Sequence, residues 1–226
     1  MSDLKLVIFD VDGTLVDSQA DILAAMAHAF AGVGQPAPSR DDILGIVGLS
    51  LEVAMPRLAP DLPDDIYAQM VEGYKSAYIK LRAATGAAQS SPLYPHVRDI
   101  LDHLHAIPEI LLGVATGKSR RGLDKLLEGH DLNPYFITQQ VSDHHPSKPH
   151  PSMLHSALSE TGIDATHAVM IGDTSYDMDM AHAAGVSGIG VSWGYHPTSQ
   201  LGAARTILDD IRHLPDVLTH LWGTAR

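Results

Sequence analysis

The chain is predicted to be an α/β protein, a doubly wound parallel sheet carrying one all-helical insertion. Three observations lead there. From about residue 92 onward, short unbroken apolar runs alternate with helical patterns, the signature of parallel strands joined by crossover helices. A matching apolar run, Leu6 to Phe9, stands alone near the start of the chain. Between the two, residues 16 to 91 show helical periodicity and no convincing strand. A chain of 226 residues, 45% hydrophobic and 19% charged, is long enough to bury a sizeable core.

Taken in order, Leu6 to Phe9 reads as a strand buried on both faces, ending in Asp10 and Asp12 before a turn at Gly13. From Ser18, the residues Ile22, Met26, Phe30 and Val33 recur near helical spacing, with Asp17 or Ser18 able to cap the start and Gly32 and Gly34 to close it. Asp41 to Leu58 and Asp64 to Arg82 read as two more helices. The second carries Ile66, Met70, Tyr74, Ala77 and Leu81 along one side. Thr85 to Pro92 is small and polar, as a linker would be.

The remainder alternates. Val97, Ile100, Leu101 and Leu104 mark a helix, Ile110 to Ala115 a strand, and Leu123, Leu126 and Leu127 a helix ending at Gly129. Tyr135 to Ile137 is strand-like, and a helix opened by Pro151 closes near Gly162. Ala168 to Ile171 is a strand, Ser175 to Ala184 a helix stopped by Gly185, and Gly188 to Val191 a further strand. The expected organisation is a Rossmann-like core from residues 1–15 and 92–226, with a helical insertion over 16–91.

Bulk composition removes several classes of function. A formal charge of −12 with 15 Lys and Arg disfavours a nucleic-acid scaffold, which needs a clustered basic surface. No apolar run approaches the ~20 residues that span a bilayer. Met1-Ser2-Asp3-Leu4-Lys5 lacks the basic start and apolar stretch of a secretory leader, and there is no cysteine to form disulfides. A cytoplasmic setting is expected.

In open parallel sheets, ligands gather at the C-terminal strand ends. The first such end holds Asp10 and Asp12, two apart and on the same side of an extended chain, so that their repulsion calls for a divalent cation, unequal pKa values, or both. The second gives Thr116, Gly117, Lys118 and Ser119, either an anion site at a helix start or a plain Ser119 N-cap. The third is Lys148, held between prolines, which would pin a phosphate oxygen or stand as a solvated loop charge. The fourth, Gly172 to Asp177, supplies Asp173 and Asp177, hard oxygen donors suited to magnesium or favoured merely by the helix dipole.

Together, Asp10-x-Asp12-Gly13-Thr14, Thr116, Lys148-Pro149 and Gly172-Asp173-x-x-x-Asp177 resemble the four motifs of the haloacid dehalogenase superfamily of phosphotransferases. The helical insertion, Leu93-Tyr94-Pro95 and Thr116-Gly117-Lys118 are most similar to phosphoglycolate-phosphatase-like members. The resemblance implies a phosphatase acting on a small-molecule phosphate monoester, a phosphoglycolate-like one before others, with residues 16–91 as a helical cap that hinges near Leu15 to Ser18 and near Gly86 to Ser91. Asp10 would be the nucleophile that forms an aspartyl-phosphate, and Asp12 the general acid and then base. Thr116, the Gly117 amide and Lys148 would hold the phosphoryl oxygens. Mg2+ would be held by Asp10, the Asp12 carbonyl, Asp173 and, through water or Lys148, Asp177. Within the cap, Gly48, Ser50, Arg57, Lys75 and Lys80 are the candidate substrate contacts.

The resemblance also admits a sugar-phosphate phosphomutase, which uses the same four motifs. A non-enzymatic metal-binding protein would draw instead on His144, His145, His150 and His155, among 14 histidines. Gly188 to Gly194 has the wrong spacing for a dinucleotide fingerprint. A monomer or homodimer is expected, with no nucleic-acid or membrane partner.

Overall fold

The computed structural model describes residues 4–223; Met1, Ser2 and Asp3, and the last three residues assigned to the core, lie outside them. Leu6, Val7, Ile8 and Phe9 form the strand β1 (Lys5–Phe9) and are fully buried. Their side chains alternate: Val7 and Phe9 enter one hydrophobic core, Leu6 and Ile8 another on the opposite face. A strand with two dry faces needs neighbours on both sides and helices above and below. The sequence supplies both.

The sheet has six strands: β1, β2 (Ile110–Thr116), β3 (Phe136–Val141), β4 (Ala168–Gly172), β5 (Ser187–Val191) and β6 (Thr206–Leu208). All pairings are parallel, in the order β3-β2-β1-β4-β5-β6. The strand order reverses between β1 and β4, which opens a crevice beyond their C-terminal ends. Register sets Phe9 beside Val114 on one side and Ile171 on the other, so Asp10, Thr116 and Asp173 emerge at the same edge.

Between β1 and β2 the chain makes α1 (Gln19–Gly32), α2 (Arg40–Leu44), α3 (Leu51–Leu58), α4 (Asp64–Thr85) and α5 (Ala87–Ser90), followed by the core helix α6 (Val97–His105). The first four of these helices share a core of their own, including Ile22, Met26, Phe30, Ile43, Met55 and Met70. The segment leaves and returns at one place. Val16 bridges both Asp12 and Leu93, Asp17 N donates to Pro92 O at 2.9 Å, and Tyr94 N donates to Leu15 O at 3.0 Å. The remaining helices are α7 (Arg120–Gly129), α8 (Ser152–Thr161), α9 (Ser175–Ala183) and α10 (Leu214–Trp222). None of the described helices is long and apolar enough to cross a membrane.

The structure departs from the sequence reading in four places. The helix expected over Asp41 to Leu58 is two, because Gly48 takes a left-handed φ of +99° and the chain turns between Gly45 and Ser50. The linker contains α5, one short helical turn. The strand read as Tyr135 to Ile137 continues to Val141, its inward Thr138 and Gln140 satisfied by Glu160 of α8 at 2.5 and 2.8 Å. The sequence reading stopped short of β6 and α10: β6 is only three residues long, while α10 carries Leu214, Val217, Leu218 and Leu221 at helical spacing that the reading passed over.

Candidate active site

Asp10 directly follows β1, and its amide donates to Ile171 O at 2.9 Å, fastening it to β4. Its side chain is almost wholly buried. Lys148 Nζ lies 2.9 Å from Asp10 Oδ1 as an ion pair, and no other group donates to either of the buried Asp10 oxygens. Lys148 also donates to Asp177 Oδ1 at 2.7 Å. The lysine is therefore buried between two carboxylates, and its reading as a solvated loop charge is corrected.

Asp173, after β4, is fully buried and accepts from Thr14 Oγ1 at 2.9 Å and from the Tyr195 amide at 2.8 Å. Room for it depends on two glycines. A Cβ on Gly13, whose φ is +83°, would lie 2.2 Å from Asp173 Oδ2, and one on Gly194 would lie 2.1 Å from Asp173 Cβ. The Gly188 to Gly194 stretch thus ends as a wall against Asp173. Asp177 opens α9 in a capping box with Thr174, whose amide and hydroxyl donate to Asp177 Oδ2 at 3.1 and 2.7 Å.

Asp10, Asp173 and Asp177 can each offer an oxygen within 4.8 Å of the others. Three buried acids facing one lysine leave an uncompensated negative charge. Burial, then Asp177 and Asp12, push the Asp10 carboxyl up to about 7 despite the opposing pull of Lys148. Burial, Asp177 and Asp10 likewise hold Asp173 well above the usual carboxylate range. Burial alone would depress Lys148, yet Asp10 and Asp177 outweigh it and raise its pKa. Hard oxygens with unused lone pairs on Asp10 fit a small divalent cation such as magnesium.

Asp10 and Asp12 both line a cavity of about 890 Å³ between the sheet edge and the inserted helices, but Asp12 has different partners. Lys118 Nζ lies 2.7 Å from Asp12 Oδ1, and the Ser18 hydroxyl donates to the same oxygen. Ser18 is the N-cap residue of α1, but its side chain serves Asp12 rather than the helix. The Ser18 amide donates to Tyr195 Oη at 3.0 Å, and Lys118 Nζ to Tyr78 Oη at 3.2 Å.

Thr116, buried at the end of β2, accepts from the Lys118 amide at 3.2 Å, and with Gly117 it lines the cavity. Ser119 Oγ accepts from Gly122 N at 3.2 Å, the plain helix cap. Of the candidate cap contacts, Gly48 and Lys75 line the cavity, and three do not. Ser50 N donates to Ser147 Oγ at 2.9 Å, Arg57 stacks on Tyr176 and donates to its hydroxyl at 3.2 Å, and Lys80 points to solvent. Tyr176 Oη donates to Gly45 O at 3.0 Å, so Arg57 belongs to a contact between insertion and core. Sequence reasoning missed Tyr78, Arg82 and Tyr195. It placed Lys118 in an anion site, Thr14 only inside the first motif and Ser18 only as a helix cap, whereas Lys118 and Ser18 lie against Asp12 and Thr14 donates to Asp173.

His144, His145, His150 and His155 do not belong to the carboxylate cluster. The two ring nitrogens of His145 meet Ser152 Oγ at 2.8 Å and Gln140 Oε1 at 2.9 Å.

Comparison with known proteins agrees with this geometry. The family described as haloacid dehalogenase-like hydrolase matches residues 7–191. A protein of Dickeya dadantii named "Probable phosphatase IndB" is 38% identical over 204 residues, covering 88% of this chain and 86% of its own. A phosphoglycolate phosphatase of Vibrio parahaemolyticus is 29% identical over 226 residues, 96% of each chain. A solved haloacid dehalogenase-like hydrolase of Streptococcus pneumoniae is 26% identical, with a TM-score of 0.81 over 96% of this chain and 99% of its own.

Proposed function

Because the chain belongs to the haloacid dehalogenase-like hydrolases, we propose that it is a magnesium-dependent phosphatase of small-molecule phosphate monoesters, working through an aspartyl-phosphate on Asp10. One observation carries the reading: Asp10 presents a buried carboxylate that Lys148 alone contacts with a donor, at the strand switch point, beside Asp173 and Asp177.

Magnesium, held by Asp10, the Asp12 carbonyl and Asp173, with Asp177 helping through water or Lys148, would offset the charge that keeps an anionic nucleophile from an anionic phosphate. An Asp10 oxygen forms a bond to phosphorus as the ester P–O bond breaks in line. Asp12 gives its proton to the departing alkoxide. It then takes a proton from the water that attacks the aspartyl-phosphate, releasing inorganic phosphate and restoring the Asp10 carboxylate. Thr116, the Gly117 amide and Lys148 hold the phosphoryl oxygens, and Lys118 with Ser18 fixes the position of Asp12.

The helices over residues 16–91 act as a cap that moves about the paired connections near Leu15 to Ser18 and Gly86 to Ser91 and keeps bulk water out. The protein works in the cytoplasm, as a monomer or homodimer. The relatives' names make 2-phosphoglycolate the first ester to assay.

Release of phosphate from a panel of monoesters, with and without magnesium, tests the proposal. Hydrolysis should need the cation and vanish in Asp10→Asn, while Asp12→Asn should lose about 10²- to 10⁴-fold in kcat. Normal rates in Asp10→Asn would rule out the covalent route. Sugar-phosphate isomerisation without net hydrolysis would make the protein a mutase.

A further inference from the structure

Resting on the phosphatase reading, we propose that Arg82 selects the substrate. The free edge of its guanidinium takes an oxyanion, a carboxylate or a second phosphate, carried by the alcohol part of the ester.

Arg82 sits near the end of α4 and is only 8% exposed. Its Nη1 donates to Gly122 O of α7 at 2.9 Å. Nε and Nη2 are sealed from solvent and have no hydrogen-bond partner. These two nitrogens form one edge of the guanidinium, with parallel N–H bonds spaced to meet two oxygens of one oxyanion. The same edge is in use elsewhere in the molecule, where Arg212 Nε and Nη2 donate to the Asp210 carboxylate at 3.0 and 2.6 Å. A buried lysine could shed its proton, but a guanidinium stays charged, so unmet donors here call for an anion. Among the described residues no carboxylate supplies it. Asp21, whose charge is felt by Arg82, is bonded to Ser90 instead.

The position also suits a group attached to the leaving oxygen. Arg82, Tyr78, Lys118 and Asp12 all line the cavity. The Tyr78 ring centroid is 5.5 Å from Arg82 Cζ and 5.1 Å from Lys118 Nζ, and Lys118 Nζ lies 2.7 Å from Asp12 Oδ1. An alcohol oxygen protonated by Asp12 thus stands within reach of Arg82 through a short carbon chain. Other cations of the cavity are less suited. Lys75 pairs with Glu72 at 3.3 Å, and Lys125 pairs with Glu128. Arg121 has no ion pair among the described residues, but it is exposed, and water screens its charge. The lining has to shift for an oxyanion to reach the sealed edge of Arg82. Both Arg82 and Tyr78 belong to the inserted helices, the part that moves in the proposed cycle.

Steady-state kinetics with magnesium on the whole protein test this, using two carbon skeletons that each end in a carboxylate, a phosphate or a hydroxymethyl group. The shorter set is 3-phosphoglycerate, glycerol 1,3-bisphosphate and glycerol 3-phosphate. The longer is 6-phosphogluconate, sorbitol 1,6-bisphosphate and sorbitol 6-phosphate. In at least one set an anionic end should exceed the hydroxymethyl end in kcat/KM by about tenfold or more, the scale of a hydrogen bond to a charged group. Which anion wins separates carboxylate from phosphate. Arg82→Gln should erase that advantage through a higher KM for the anionic ester. Arg82→Lys keeps the charge without the fork and should fall between the two, and it replaces Arg82→Gln if that variant does not fold. An equal loss on anionic and hydroxymethyl ends, or a wild type without preference for an anionic end, would overturn the inference and leave the phosphatase standing. Hydrolysis of no ester at all would overturn the phosphatase reading itself.

Discussion

Asp10 and Asp12 are two residues apart and chemically alike, yet their surroundings differ. Asp10 has its carboxyl raised to about 7, first by burial and then by neighbouring acids, whereas Asp12 has Lys118 at 2.7 Å and the Ser18 hydroxyl on one oxygen. For Asp10 the sign is that of a raised acid: between the ordinary carboxylate range and pH 7 the folded site holds a proton that a cation must displace. Apparent magnesium affinity should therefore weaken below pH 7 by roughly tenfold per unit for each proton released, from Asp10 and from the likewise raised Asp173. Titration calorimetry in buffers of different ionisation enthalpy measures those protons directly, and a pH-independent affinity would contradict the assignment. The paired carboxylates were legible because strand geometry fixes where residues two apart point. The Lys118 contact was not, since a long side chain reaching from β2 back to the β1 turn leaves no mark in spacing. Arg57 shows the reverse error. Its charge suggested an anion contact, while its position on α3 aims it at Tyr176.

At the scale of elements, the sequence was clearest where residues are driven one way only. The strands β1, β2, β4 and β5 are nearly all apolar and were read close to their observed limits. β3 was cut short because Thr138 and Gln140 look like loop residues until Glu160 is placed beside them. Helix ends divide in the same manner. Ser119 caps α7 through Gly122 N, so Ser119→Ala should destabilise the fold by about 1 kcal/mol, visible as a lower urea midpoint with an unchanged slope. Ser18 stands at the equivalent place on α1 but makes no cap bond, because Asp12 takes its hydroxyl. The sequence offers both serines as caps, and only the fold separates the one that caps its helix from the one that bonds Asp12.

Across the whole molecule, the insertion and the core meet through a few named contacts, and one of these senses pH. His130, at the end of α7, has a ring nitrogen 2.8 Å from Ser91 O, in the segment returning from the insertion. Burial, with Arg98 and Arg82 nearby, lowers its pKa below the ordinary imidazole value despite the Ser91 bond. A histidine held neutral in this way contributes fully above the unfolded pKa of about 6.5, and its contribution falls as pH drops from there toward the folded value. The Tm difference between the wild type and His130→Gln should accordingly shrink from pH 7.5 to 5.5, as scanning calorimetry in chelator would show. A constant difference would assign His130 a purely steric role. The paired connections have a consequence of another kind. Val16 and Leu93 lie side by side, so everything between them is attached to the catalytic half at a single socket. An engineer grafting residues 19–90 from a relative would have two adjacent seams to join, with the aspartates left on the core side of both.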